Sequence, residues 1–446
     1  MSGETSVRVG VFSLHNSKET KAILNAVEAL GHEPVWLRRE NTSVEIRDGE
    51  LVLEPNVDIV ANRLLLSKTE YPDELLGLVN LYASVVPTLN PPMSVLRATH
   101  KFAAAVRLAE EGVRVPDAIL ALSTERLNEL CEPYGTEAVY KTAIGTHGGG
   151  TWKVDLNDPI SSRVGKRQAF VQQLIEQDDD DGPHSDLRVY VVGDSVIGGM
   201  IRSAPDEEWR TNVALGGDVR AAGDVLTDEV SRTALDAANA IGLDYAGVDL
   251  IRNERDWYVL EVNPTAGFKG FFEATGHSPA PHIARAAIET AGGSVDEDRV
   301  VELTATLDDT VPACKPSTSR RDLSEQPTIG YTTEVVVSGT SGSATVVAKS
   351  DTGASRTSID TGVAADVGAG PIRRTSRVRS GSSKSSRTRP VVDIVVGIAG
   401  NHYTVSANIE DRSHMENPVL LGRDILEHYQ VDISKRVDEE VTTIEE

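Results

Sequence analysis

Cysteine is almost absent from this 446-residue chain: Cys131 and Cys314 are the only two. Two thiols cannot build a disulfide framework, and on their own they cannot make a zinc cluster. No run of 18 or more apolar residues occurs, so no membrane-spanning helix and no membrane partner are expected. The opening Met-Ser-Gly-Glu-Thr-Ser lacks the basic-then-apolar pattern of a secretion signal. Together these absences predict a cytoplasmic protein. Positive charge is short as well: 44 Lys and Arg stand against 68 Asp and Glu, a net charge of −24. Such acidity opposes nonspecific nucleic-acid binding and keeps a surface soluble. It also suits high salt, where screening removes self-repulsion. A halophilic source is the expectation, an ordinary acidic protein the alternative.

The length allows roughly three domains at about 150 residues each. Val7 to Phe12 reads as a strand, Lys18 to Leu30 as a helix stopped by Gly31, and Pro34 to Leu37 as a second strand. That is a β-α-β opening. Asp58 to Ala61 adds a buried strand. One long helix is expected from Met93 to Glu111, with Gly112 as its stop. Strands and helices then alternate to Gly293. Ser294 to Gln326 is acidic, then polar and proline-containing, as in a linker. From Thr328 the runs Glu334–Val337, Ala344–Ala348, Val391–Ile398 and Thr404–Ile409 are short and β-prone. The expected division is 1–92, 93–293, a linker 294–326, an all-β domain 327–437 and an acidic tail 438–446.

The chemistry concentrates near residue 250. Asp249 lies in Ala246-Gly-Val-Asp-Leu-Ile251, and Glu261 and Asn263 lie in Val259-Leu-Glu-Val-Asn-Pro264. Residues two apart in a strand share a face, so Glu261 and Asn263 point the same way. Asn253 to Asp256 reads as a hairpin turn; with the loop centred near Arg255, Asp249 stands opposite Glu261. Hard oxygen ligands suit Mg²⁺, which takes one or two carboxylates and leaves its other positions to water and phosphate. Upstream, Gly145-Thr-His-Gly-Gly-Gly-Thr151 follows the strand Ala138 to Lys141. A glycine-rich loop lets backbone N–H groups approach phosphate closely. Lys141 and Lys101 offer compact positive charge to a triphosphate. No Gly-Lys-Ser/Thr follows the glycines, which excludes a P-loop. Arg188, Arg202 and Arg210, with Asn212, can stabilise a transferring phosphoryl group or clamp a carboxylate.

Taken in order, these segments resemble an ATP-grasp ligase of the RimK type. The resemblance runs from about Asn90 to Gly293. It rests on Asn90-Pro-Pro, Lys101, Val139-Tyr-Lys141, the Gly145 loop, Asp186-Leu-Arg-Val-Tyr-Val-Val-Gly-Asp194, Arg210-Thr-Asn212, Gly216-Gly217, Ala246-Gly-Val-Asp249, Glu261-Val-Asn-Pro264, Phe268-Lys-Gly270 and Thr275-Gly276. It implies an α+β ATP-grasp fold: an α/β pre-ATP-grasp domain, then two α+β lobes enclosing ATP. Lys101, Lys141 and the loop glycines Gly148, Gly149 and Gly150 would meet the phosphates. Gln172, Gln173, Leu174 and Ile175 would line adenine, with Asp186 near the ribose. Asp249, Glu261 and Asn263 would hold Mg²⁺ or Mn²⁺. Arg188, Arg202, Arg210 and Asn212 would bind phosphate and an acyl phosphate. A glutamate-like amino acid and a carboxylate-bearing protein, peptide or small molecule are the implied substrates. Two departures stand out. Gln173 replaces a frequent glutamate ahead of an inserted Asp178–Asp181 run, and Leu215 replaces a frequent arginine before Gly216-Gly217. The second puts acceptor specificity in doubt.

The tail carries a second signature. An apolar strand feeds Asp351-Thr-Gly-Ala354, and Val419-Leu-Leu-Gly-Arg-Asp-Ile-Leu426 follows later. With Arg389-Pro-Val391, Asp411-Arg-Ser-His-Met415 and Tyr429-Gln-Val-Asp432, they resemble the all-β retropepsin-like barrel associated with RimK ligases, sometimes labelled a zinc protease. His402, His414 and His428 are too scattered to support zinc. Aspartic-protease chemistry needs two carboxylates sharing a proton, and one Asp-Thr-Gly supplies only Asp351. Two chains pairing about a two-fold axis would bring two copies together, so a homo-oligomer, at least a dimer, is expected. The alternative is a ligase whose tail only dimerises or binds substrate. Arg373, Arg374, Arg377, Arg379, Lys384, Arg387 and Arg389 form a basic segment without an acid between them. It reads either as a recognition element for an acidic tail or as a solvated loop.

Overall fold

The computed structural model describes residues 6–15, 17–39, 41–69, 71–145, 150–160, 168–177, 184–205, 209, 211, 218–308, 326–379 and 386–437. Two compact units divide the chain, residues 1–318 and 319–446. The first opens on a four-stranded parallel sheet. Its order runs Glu33–Leu37, Arg8–Phe12, Ile59–Asn62, Thr88–Leu89. Apolar side chains cover both faces: Val9, Val11, Phe12, Ile59, Val60 and Ala61 are fully buried. Such burial is usual for a parallel sheet. The helix Lys18–Ala29 starts where Ser17 accepts a hydrogen bond from the Thr20 N–H and ends at Gly31, whose φ is +86°. An antiparallel hairpin, Ser43–Arg47 with Glu50–Glu54, was not expected. Its turn carried a signal: Asp48-Gly49, both at positive φ, is the two-residue hairpin preference.

Asn90 explains the Asn-Pro-Pro motif. It is fully buried at φ +58°. Its amide donates to the Tyr245 and Pro264 carbonyls and accepts from the Asp244 and Tyr245 N–H groups. One side chain thus ties the first sheet to the next domain.

The expected long helix is two, Pro92–Thr99 and Lys101–Glu110. They break at His100, whose backbone is extended and whose Nδ1 accepts from the Ala103 N–H as an N-cap. The break lets the Lys101 N–H donate to the Ala143 carbonyl at 2.8 Å. No glycine or proline marks it, so periodicity alone runs through it. Gly112, at φ +75°, stops the second helix as expected.

Two antiparallel sheets follow. The smaller has the order Ala118–Leu120, Ala169–Gln173, Glu137–Thr142, Thr151–Asp155. The larger has the order Asp218–Ala221, Ser195–Ser203, Ser185–Val192, Tyr245–Arg252, Trp257–Asn263. The helix Asp228–Ile241 packs its Val230, Ala234, Ala237, Ala238 and Ile241 against the larger sheet. The expected linker begins with ordered structure instead. Glu297–Thr304 is a helix that buries Val300, and the Ser294 carbonyl contacts His32 Nε2. Residues 309–325 lie outside the described residues.

The second unit is a closed barrel of six strands: Thr332–Ser338, Ser343–Ser350, Val419–Leu421, Ser358–Asp360, Asn401–Glu410 and Ser386–Ile398. Val335, Val337, Ala348, Ile359, Val396, Ala407 and Val419 fill its core. The described residues of the basic segment lie on strands, and residues 380–385 lie outside the described residues. Ile372–Arg379 pairs with the long strand Ser386–Ile398 as a hairpin. Its arginine-rich composition hides the strand, which its backbone pairing shows.

Candidate active site

A pocket of about 570 Å³ opens in the first unit, lined from segments that follow the strands Arg8–Phe12 and Ile59–Asn62, from the two larger antiparallel sheets and from the Lys101 helix. One face of the five-stranded sheet builds its charged wall. Arg188 is register partner to Asp249, Asp249 to Glu261, and Asp186 to Arg202. Residues two apart share a face, so Asp186 with Arg188 and Glu261 with Asn263 extend the same row.

The charges are matched pairwise. Arg188 grips Asp249 with two bonds, Nε to Oδ1 at 2.6 Å and Nη2 to Oδ2 at 2.7 Å. Arg202 does the same to Asp186, at 2.6 and 2.5 Å, and reaches Asp249 Oδ2 at 2.8 Å. The Thr211 hydroxyl donates to Asp186 at 2.6 Å. Lys101 Nζ donates to Glu261 Oε2 at 2.8 Å, and Lys141 Nζ donates to Gln172 Oε1. Gly247 makes room for this array, because a Cβ there would lie 2.7 Å from Ala266 Cβ and 3.3 Å from Arg188 Cδ.

Burial opposes ionisation of Asp249, but the Arg188 and Arg202 guanidiniums outweigh it and hold its carboxyl well below the usual range. Glu261 is likewise lowered against burial, mainly by Lys101. Asp186 goes the other way: burial raises it despite Arg202. Burial, then the neighbouring Lys101, pushes Lys141 down to about 8.

The structure brings Lys101, Lys141, Gln172, Gln173, Leu174, Ile175, Asp186, Arg188, Arg202, Asp249, Glu261 and Asn263 to one pocket. Gly150 sits at the loop's end, where a Cβ would fall 2.4 Å from Thr142 Oγ1. Gly148, Gly149, Arg210 and Asn212 lie outside the described residues. Among the described residues no three carboxylate, imidazole or thiolate groups converge. The oxygen set is two ionised carboxylates and one amide, which fits the modest carboxylate share of Mg²⁺. Sequence reasoning missed Glu19 and Arg63, which also line the pocket. Arg63 directly follows the strand Ile59–Asn62, and ligands gather at the carboxyl ends of parallel strands.

In the second unit, Asp351 follows the strand Ser343–Ser350. Its N–H donates to the Leu421 carbonyl at 3.0 Å, and its Oδ1 accepts from the Gly353 N–H at 2.8 Å. The two signature segments thus meet. Gly422 is required where they cross, since a Cβ there would lie 2.4 Å from the Arg356 carbonyl carbon. Asp424 accepts from the Thr357 N–H and hydroxyl, and Asp411 accepts from Ser413 in an exposed turn. Arg389 pairs with Glu410, so it is not a free member of the expected basic recognition segment. Lys384 and the side chains of the other five lie outside the described residues.

Comparison with known proteins agrees with this architecture. The model of the RimK-like ATP-grasp domain matches residues 98–287. The model of the retropepsin-like aspartic endopeptidase RimB matches residues 363–440. A Hahella chejuensis protein named "Probable alpha-L-glutamate ligase 2" is 30% identical over 286 residues, 60% of this chain and 91% of that protein. The tetrahydromethanopterin:alpha-L-glutamate ligase of Methanocaldococcus jannaschii is 35% identical over 195 residues, 42% of this chain and 64% of that protein. Among solved structures, the ATP-grasp ligase PsnB, complexed with a phosphomimetic variant of its minimal precursor, Mg and ADP, superimposes with a TM-score of 0.51. It is 20% identical and covers 64% of this chain and 98% of its own. No helix is long and apolar enough to cross a membrane among the described residues. The chain belongs to the RimK-like ATP-grasp ligases and carries a RimB-like, retropepsin-like domain in its C-terminal part.

Proposed function

We propose that the first unit joins a carboxylate to an amine with ATP, through an acyl phosphate. The observation that carries this reading is the row Arg202, Asp186, Arg188, Asp249, Glu261 and Asn263 along one pocket wall, facing Lys101 and Lys141. In the first step a substrate carboxylate oxygen attacks the γ-phosphorus, the bond to the bridging β–γ oxygen breaks, and ADP leaves. In the second an amine attacks the acyl carbon, the bond to the phosphate oxygen breaks, and phosphate departs as nitrogen loses its proton. Little covalent work falls to the protein; positioning and charge stabilisation do the rest.

Lys101 and Lys141 would meet the phosphates, and Arg188 and Arg202, with Arg210 and Asn212, would steady charge on the transferring group. Gln172 to Ile175 would border adenine, with Asp186 near the ribose. Asp249, Glu261 and Asn263 would hold Mg²⁺, which when bound neutralises phosphate charge; Mn²⁺ would suit the same oxygen donors. The names of the relatives support glutamate, or a similar amino acid, as the amine. Its partner is a carboxylate-bearing protein, peptide or small molecule. The test is mass spectrometry of cell extract incubated with ATP and purified protein. Added amino-acid masses support the reading; ATP-independent or absent additions sink it.

For the second unit we propose an aspartic-type peptidase in which two chains each lend Asp351. Asp424 and Asp411 are held by Thr357 and Ser413, so neither stands ready as the second carboxylate within one chain. The same observation favours the rival reading, a dimerising or substrate-binding module without hydrolysis. Asp351→Asn separates them: a peptidase loses turnover, whereas a binding module keeps its affinity and pairing.

A further inference from the structure

The parallel sheet of the first unit reverses its strand order between Arg8–Phe12 and Ile59–Asn62. Crevices outside the carboxyl ends of strands at such a switch point are where open α/β sheets bind ligands. Arg63 is the first residue beyond one of those ends. It is 3% exposed and lines the pocket. Its Nη1 and Nη2 reach the Ala266 and Thr265 carbonyls only at 3.4 and 3.5 Å, long for hydrogen bonds. Its Nε is buried without a partner among the described residues. The guanidinium lies over the Phe268 ring, 5.2 Å from the centroid. Arg188 and Arg202 each hold a carboxylate in this pocket; Arg63 holds none among the described residues. A buried cation is costly unless paired, so the site is short of one anion.

Across the same loop stands the opposite charge. Glu19, also lining the pocket, accepts from the Phe268 N–H at 3.3 Å. Arg63 and Glu19 therefore flank residues 265–268, and Thr265 leads back to the oxygen cluster through its N–H bond to Asn263 Oδ1 at 3.0 Å. We infer that Arg63 binds a carboxylate of the incoming amino acid, with Glu19 across the loop to receive its ammonium group. This subsite rests on the ligation reading and names where the amine substrate docks.

The test measures equilibrium binding of L-glutamate, its 1-amide and its 5-amide to the full chain loaded with Mg²⁺ and a non-hydrolysable ATP analogue. Wild type should bind one amide about 10- to 100-fold more weakly than L-glutamate, the range of a lost charged hydrogen-bond pair. The weaker amide tells which carboxylate Arg63 holds. Arg63→Gln should erase that preference while nucleotide affinity stays within about twofold, and Arg63→Lys should restore part of it. Should Arg63→Gln fail to fold, wild type and Arg63→Lys still decide. Equal affinity of wild type for all three ligands overturns the inference, as does an unchanged preference in a folded Arg63→Gln. Failure of the ligation reading looks different: no ATP-dependent mass addition appears in extract, whatever the ligand preference.

Discussion

Asp249 stands opposite Glu261 because Leu260 is an extra residue in its strand. The register runs Arg252↔Trp257, Ile251↔Tyr258 and Leu250↔Val259, then steps to Asp249↔Glu261. Without that bulge Asp249 would face Leu260, and Glu261 would turn to the other side of the sheet. Bulges re-aim side chains beside active sites, and here one sets two carboxylates side by side.

Asp249→Asn should be the most damaging single change in the pocket. It leaves Arg188 and Arg202 buried without their shared anion, a cost of about 3–5 kcal/mol. Urea denaturation should read that loss, and ATP turnover should fall to background. Glu261→Gln, whose partner Lys101 is more exposed, should also lose turnover but cost far less stability. Equal stability losses would show that the arginine pairing carries no special weight.

Lys141 should make ATP binding pH-dependent. Its folded pKa of about 8 lies below the ordinary 10.5, so the free protein loses this charge as pH rises through 8. ATP affinity should therefore decline from pH 7 to 9.5 in wild type and stay flat in Lys141→Arg. For stability the sign is opposite. Between those two pKa values the unfolded chain binds more protons, so this group's contribution to stability rises with pH. Calorimetric titration and denaturation across the range check both; a flat wild-type affinity profile contradicts the first.

Gly247→Ala should cost about 1–3 kcal/mol, the usual range for overpacking a tight interior site. The added methyl meets Ala266 and the Arg188 side chain. Displacing Arg188 from Asp249 should lower kcat by more than it raises KM for ATP. Steady-state kinetics decide, and a change in KM alone would count against a positioning role.

Gly422→Ala should break the meeting of the two signature segments in the barrel. A Cβ 2.4 Å from backbone cannot be relieved by a rotamer change. Hydrogen exchange at the Asp351 and Arg423 amides, which bond to Leu421 and Ala354, should accelerate at least about tenfold. Protection equal to wild type would show that the loop can move aside.

Much of the site was legible because it lies on strands. Period-two spacing put Glu261 with Asn263, and hairpin counting put Asp249 opposite Glu261, although the turn centre alone would have missed by one without the bulge. The helix break at His100 was not legible, since no glycine or proline marks it and the bond it accompanies, Lys101 N–H to the Ala143 carbonyl, is tertiary. Nor were Glu19 and Arg63, single charges whose meaning depends on a loop some 200 residues away. The basic segment shows the limit of composition: its charges alone did not reveal the strand pairing of Ile372–Arg379 with Ser386–Ile398.

By itself the sequence determined which residue types carry the chemistry and the order of the elements, because short-range periodicity and motif spacing are local properties. Tertiary structure alone decided which charges neutralise one another. Arg188 on Asp249, Lys101 on Glu261 and an Arg63 guanidinium that holds no carboxylate among the described residues are settled by distances between strands and loops far apart in the chain, and electrostatic energy depends on separation and burial, not on sequence position.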